Sequence, residues 1–88
     1  MIKVKIYAEY RDILGVNEID IPCNSMSFKE VIEYISNKYN KEFMNSAIHN
    51  DKINEYMLVM ADDRMLTSIE DKIESGEILK ILATAHGG

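Results

Sequence analysis

Apolar and polar residues alternate from the start of the chain: Ile2, Val4, Ile6 and Ala8 are interleaved with Lys3, Lys5 and Tyr7. A period of two predicts a strand with one buried face. Residues 9–15 read as a short connection anchored by Ile13 and Leu14, with Gly15 free to take a positive φ. Glu18, Ile19, Asp20 and Ile21 alternate again before Pro22, so the two strands together read as a hairpin. The period then changes. Ser27 and Glu30 are spaced for a capping box, and Phe28, Val31, Ile32, Ile35 and Tyr39 mark one face of a helix of about three turns. Phe43, Met44, Ala47 and Ile48 predict a second short helix over residues 41–49, followed by a loop over residues 49–55.

Tyr56-Met57-Leu58-Val59-Met60-Ala61 is apolar at every position, which suits a strand with an apolar residue on both faces. Asp62-Asp63 supplies a turn and Arg64-Met65-Leu66 a short return strand. Ile69 and Ile73 are isolated anchors, and Ser75-Gly76-Glu77 turns into a last strand, Ile78-Leu79-Lys80-Ile81-Leu82. A hairpin, a helix and further strands predict an α+β fold, a mixed sheet packed on one main helix. The expected division is a domain over residues 1–82 and a flexible tail over residues 83–88.

Composition narrows the function. The chain has 88 residues, room for one domain with a modest core. Its net charge is −5, and its ten Lys and Arg are scattered, which argues against nucleic acid and anionic membranes as partners. No apolar run approaches a membrane span, and the first residues lack a signal-peptide core, so a cytoplasmic location is expected. The single cysteine, Cys23, excludes an internal disulfide and reads as a small, partly buried hydrophobe. Neither His49 nor His86 has metal-ligand spacing to another donor, so no metal site and no bound cofactor are expected. Gly15 and Gly76 stand alone rather than in a phosphate-binding loop, and no Ser/His/Asp set can be assigned.

With no catalytic constellation, attention falls on the terminus. Ala83-Thr84-Ala85-His86 leads into Gly87-Gly88. Taken alone, two terminal glycines are an ordinary frayed end. After a strand and a run of mostly small residues, they also make a slim arm. Glycine lacks a Cβ, so such an arm can enter a channel closed to other residues and place its carboxylate in a partner's site. Activated as an acyl-adenylate at a partner's expense of ATP, that carboxylate could accept sulfur or a lysine amine.

The whole pattern resembles the ubiquitin-like β-grasp sulfur carriers of the MoaD/ThiS family, most of all the molybdopterin synthase small subunit. The resemblance spans nearly the entire chain. It rests on Ile2-Lys3-Val4-Lys5-Ile6, Ile13-Leu14-Gly15, the helix begun at Ser27, the segment from Val59 to Arg64, Asp71-Lys72-Ile73-Glu74-Ser75-Gly76-Glu77-Ile78-Leu79, and Gly87-Gly88. It implies a β-grasp fold and a carrier acted upon rather than an enzyme. An E1-like adenylating enzyme would activate Gly88, Gly87 would give the tail its flexibility, and a thiocarboxylate on Gly88 would donate sulfur to a pterin precursor beside a molybdopterin synthase large subunit. Conjugation to target-protein lysines through the same Gly88, and a plain interaction domain, stay open beside it. The family's proline pair before the tail is replaced here by Ala83-Thr84, and its small residue beside the glycines by His86.

Two expectations concern the partner. One helix covers one face of a sheet, so Ile78, Leu82, Met57 and Met60 are expected to form an apolar partner surface, with Leu79 and Ile81 turned to the core. Asp62, Asp63, Glu70, Asp71, Glu74 and Glu77 outnumber the nearby bases and are expected to steer that partner.

Overall fold

The computed structural model describes residues 1–84. Strand β1 (Ile2–Ile6) is followed by helix α1 (Glu9–Leu14), β2 (Glu18–Ile21), β3 (Ser25–Ser27), α2 (Phe28–Lys38) and α3 (Phe43–Ala47). Then come β4 (Ile48–His49), β5 (Lys52–Ile53), β6 (Met57–Ala61), β7 (Arg64–Met65), β8 (Lys72–Glu74) and β9 (Ile78–Ala83). Five strands form the main sheet in the order β2-β1-β9-β6-β7. β1 and β9 are parallel at its centre, and the other neighbours are antiparallel. The sheet is therefore mixed, as expected, and one face of it is covered by helix.

The alternation read in β1 holds. Ile2, Val4 and Ile6 are buried and meet Phe28, Val31, Ile32 and Ile35 of α2 in one core with Leu79 and Ile81 of β9. α2 starts where its cap dictates. The Ser27 hydroxyl accepts from the Glu30 amide at 3.1 Å, and the Glu30 carboxylate accepts from the Ser27 amide at 2.9 Å. Such a cap contributes about 1 kcal/mol relative to alanine. The next free amides of the helix, on Phe28 and Lys29, donate to the carbonyls of Asp71 and Ile69. The loop before β8 thus closes the helix N-terminus, and Ile69 and Ile73, isolated in sequence, enter the core on either side of it.

That loop is held by Asp71. One carboxylate oxygen accepts from the amides of Thr67 at 2.9 Å and Ser68 at 3.0 Å, which keeps the group below its ordinary value of 3.8. Glu77 is likewise held below 4.5 by the Glu74 amide and the Arg64 guanidinium. Both carboxylates bind protons less readily folded than unfolded. The stability they contribute is present above the ordinary carboxylate range and is lost as pH falls through their lowered folded values. Asp71→Asn is therefore expected to cost about 1 kcal/mol at pH 7, the low end for a charged acceptor in solvent. It should also flatten the decline in stability between about pH 4.5 and pH 3. Denaturant unfolding of both proteins at the two pH values checks this.

The connection over residues 9–15 is a helix rather than a plain link. Ala8 turns the chain at φ 57°, and α1 follows without a side-chain cap. Tyr10 and Leu14, four apart, point inward, and Tyr10 meets Phe43 edge to face at 6.2 Å. Gly15 ends α1 at φ 75°, as a C-terminal cap. The short helix near residue 43 is present as α3. The loop read over residues 49–55 instead contains β4 and β5, paired through Ile48–Ile53 and His49–Lys52. β3 pairs with β8. The last strand runs through Ala83, past the boundary drawn at residue 82, and the Thr84 amide still donates to the Tyr56 carbonyl at 3.0 Å.

Candidate functional site

β9 is the element from which the site is built. It lies between β1 and β6, so its register sets what the outer face of the sheet presents. Leu79 and Ile81 are fully buried, whereas Ile78, Lys80 and Leu82 are half-buried on the face away from the helices. The expected register of this strand is therefore the observed one. Across the β6 pairing, Leu82 stands opposite Leu58 and Lys80 opposite Met60, and Met60 in turn faces Met65 of β7. Leu58, Met60, Met65, Ile78 and Leu82 make an apolar patch on this half of the sheet, with Met65 58% exposed.

Met57 does not belong to it. It shares the parity of Val59 and Ala61, faces the core and is only 5% exposed. Its place in the patch is taken by Leu58. In a strand that is apolar at every position, composition does not say which alternate set is inside. Pairing with β9 decides it, because Leu58 must share a face with Leu82 and Val59 with Ile81. Lys80 was readable from the strand itself, two positions from both Ile78 and Leu82.

Charge on this face differs from the acidic expectation. Asp62 accepts from the Ile78 amide at 2.9 Å within its turn, at φ 51°. Asp71 and Glu77 hold the turns described above, and Glu74 accepts from the Ser25 hydroxyl. These acids shape the ends of β8 and β9. On the sheet face itself stand Lys3, Lys5 and Lys80. Lys3 bonds Glu18 at 2.8 Å and approaches Asp20 at 3.7 Å, which raises the lysine and lowers Glu18 relative to their ordinary values.

On the helix side of the point where the chain leaves the sheet, an open groove of about 640 Å³ is bordered by Glu9, Tyr10, His49, Asn54, Tyr56 and Thr84. The Tyr10 hydroxyl donates to the Tyr56 carbonyl at 3.4 Å, and burial pushes its phenol up. The His49 ring nitrogen Nε2 lies 2.6 Å from the Asn45 carbonyl. Among the described residues no group of three or more His, Cys, Asp or Glu is gathered for a metal ion, and no helix is long and apolar enough to cross a membrane. Cys23 is half-buried, with its thiol 3.2 Å from the Ser25 carbonyl. Gly87 and Gly88, like Ala85 and His86, lie outside the described residues.

No protein-family model matches the sequence, and none of the curated proteins matches it. Solved structures do. A chain of the Amycolatopsis orientalis BexX/CysO complex superposes with a TM-score of 0.83 at 17% identity, each chain covered completely. SAMP1 from Haloferax volcanii gives 0.73 at 10% identity, covering 99% of this chain and 98% of that one. The putative molybdopterin converting factor, subunit 1, of Pyrococcus furiosus gives 0.66 at 21% identity, covering 93% and 94%. These likenesses show the fold: the chain has the β-grasp, ubiquitin-like fold that the sequence pattern suggested.

Proposed function

We propose that this protein is a ubiquitin-like sulfur carrier whose chemistry resides at the Gly88 carboxylate. The observation that carries the reading is the placement of β9. The central strand of the sheet, held by β1 and β6, runs up to Ala83 beside an apolar face. Gly88 is only four residues beyond Thr84, so a partner docked on that face can receive the terminus within reach, about 14 Å at full extension.

A carboxylate at neutral pH repels nucleophiles. In an E1-like adenylating enzyme, a Gly88 carboxylate oxygen attacks the α-phosphorus of ATP and pyrophosphate leaves. Hydrosulfide then attacks the carbonyl carbon of the acyl-adenylate, the bond to AMP breaks and AMP leaves, and loss of the sulfur-borne proton gives a thiocarboxylate. ATP is the partner's substrate, and the carrier itself holds no cofactor. The similarity to a molybdopterin converting factor subunit supports a molybdopterin synthase large subunit as the sulfur recipient's scaffold. A second reading, conjugation of Gly88 to target-protein lysines, draws support from the likeness to SAMP1, described for Methanosarcina acetivorans as small archaeal modifier protein 1 (TM-score 0.73, 18% identity).

Intact mass of the protein isolated from its own host tests both readings. Replacement of one oxygen by sulfur at the terminus supports the carrier. Branched adducts joining Gly88 to lysines support the modifier. A terminus that carries neither, in cells synthesising molybdopterin, overturns both.

A further inference from the structure

The ladder between β6 and β9 is closed at each end by a side chain. Continuing its register past Met57–Ala83 sets Tyr56 opposite Thr84. Only half of that pair is made. The Thr84 amide donates to the Tyr56 carbonyl at 3.0 Å, but the Tyr56 amide donates to Oδ1 of Asn54, also at 3.0 Å, instead of to the Thr84 carbonyl. The far end is built alike: the Asp62 amide donates to the Ile78 carbonyl at 3.0 Å, and the Ile78 amide to Asp62 Oδ1 at 2.9 Å. Asn54 is itself fixed at every polar group. Its amide donates to the Ala47 carbonyl and its Nδ2 to the Ser46 carbonyl, each at 2.8 Å, and its carbonyl accepts from the Met57 amide at 2.9 Å. The end of α3 thus holds an Asx turn over residues 54–57 that carries the chain away from β9. On the other edge of β9, the Tyr7 amide donates to the Ile81 carbonyl at 3.0 Å, and Ala8, at φ 57°, then turns the chain into α1. Neither neighbour continues alongside β9 beyond Thr84.

We propose that Asn54 is a positioning residue for the terminus: by taking the Tyr56 amide it stops the ladder at Thr84 and keeps the residues beyond from being drawn into the sheet. The proposal rests on the carrier reading, since the stop matters for delivering the Gly88 carboxylate to the adenylating protein. A backbone donor left open beside a strand end invites the neighbouring chain to pair with it. Without the Asn54 oxygen, the acceptor that the register places opposite the Tyr56 amide is the Thr84 carbonyl. That pair would close, and positions 55 and 54 would then stand opposite 85 and 86. Each added bond must be broken again before the terminus can extend into a partner's site. Asn54 touches no reacting atom; it acts through Tyr56 and Thr84.

The test compares Asn54→Ala with Asn54→Asp. Both lose the bond to the Ser46 carbonyl, so both are expected to unfold at a lower temperature than the wild type. Only aspartate retains an oxygen for the Tyr56 amide. Pyrophosphate release is followed with the adenylating protein purified from the same host. In Asn54→Ala, kcat/KM for the carrier is expected to fall about fivefold, the weight of one net hydrogen bond, and in Asn54→Asp to stay near wild type. Between hydrogen-bonded pairs of an antiparallel ladder, facing α-carbons lie about 4.5 Å apart. A nuclear Overhauser contact between the α-protons of Glu55 and Ala85 is therefore expected in Asn54→Ala alone. Should the carboxylate beside the Ser46 carbonyl prevent Asn54→Asp from folding, Asn54→Ser supplies an acceptor without the charge and takes its place. The proposal is overturned, and the carrier reading left standing, by wild-type kcat/KM in Asn54→Ala, by an equal loss in both variants, or by an Asn54→Ala that fails to fold. A wild type that is not adenylated overturns the carrier reading, while the Glu55–Ala85 contact still decides whether Asn54 stops the ladder.

Discussion

Deleting Gly88 is expected to abolish adenylation and leave the domain folded. The deletion draws the carboxylate back by up to ~3.5 Å. A displacement of about 1 Å from attack geometry already costs on the order of a hundredfold, so activation should fall by at least that factor. Stability should not follow, because the core closes at Leu79 and Ile81 and the described chain is pinned at Thr84 by its bond to the Tyr56 carbonyl. Gly88→Ala keeps the reach and adds one Cβ, so it should be milder than the deletion. Pyrophosphate release measures the first effect and circular dichroism the second. Full activation of the shortened chain would remove Gly88 from its proposed role.

The second large effect separates the two faces of β9. Leu79→Asp is expected to unfold the protein, whereas Leu82→Asp should leave it folded and disable partner binding. Leu79 is fully buried between β1 and β6 and pairs with Val4 and Ala61. A carboxylate there costs more than roughly 5 kcal/mol, the lower end of the stability of a small domain. Leu82 is half-buried and loses chiefly its cross-strand contact with Leu58, about 0.2–1 kcal/mol. At the centre of a docked interface the same change should raise KM for the carrier roughly thirtyfold, the effect of losing an apolar anchor. Denaturant unfolding together with the adenylation assay resolves the pair. A folded Leu79→Asp or an unfolded Leu82→Asp would contradict the register.

What the sequence showed and what it hid follow from the range of the forces involved. Ile2, Val4 and Ile6, the Ser27–Glu30 cap and the α2 stripe are local patterns long enough to impose a period. Their elements appear where they were expected. α1 has six residues and begins at a strained Ala8 rather than a capping side chain, so it is too short to impose a readable period and residues 9–15 read as a plain connection. The pairs β3–β8 and β4–β5 are two or three residues long and exist because tertiary packing brings them together. Met57 shows the same limit at the site. Which half of an all-apolar strand is buried depends on a neighbour twenty or more residues away, and no window around Met57 contains it. The turn-forming acids Asp62, Asp71 and Glu77 counted as free charge in the sequence, yet each is committed to backbone amides in the fold.

The parallel pairing of β1 with β9 has a consequence for how the protein is made. Residues 2–6 leave the ribosome well before their central neighbour, residues 78–83. Until β9 arrives, β1 has only β2 beside it, and Val4 and Ile6 lack the Leu79 and Ile81 that complete their layer. Pairing across such a separation carries a large loop-closure cost and cannot be replaced by local contacts. The sheet therefore closes only once β9 has been made. A stalled or prematurely terminated product lacking β9 would be an unfolded chain for proteolysis, not a folded decoy. The cell's pool of folded protein would then be confined to molecules that possess β9.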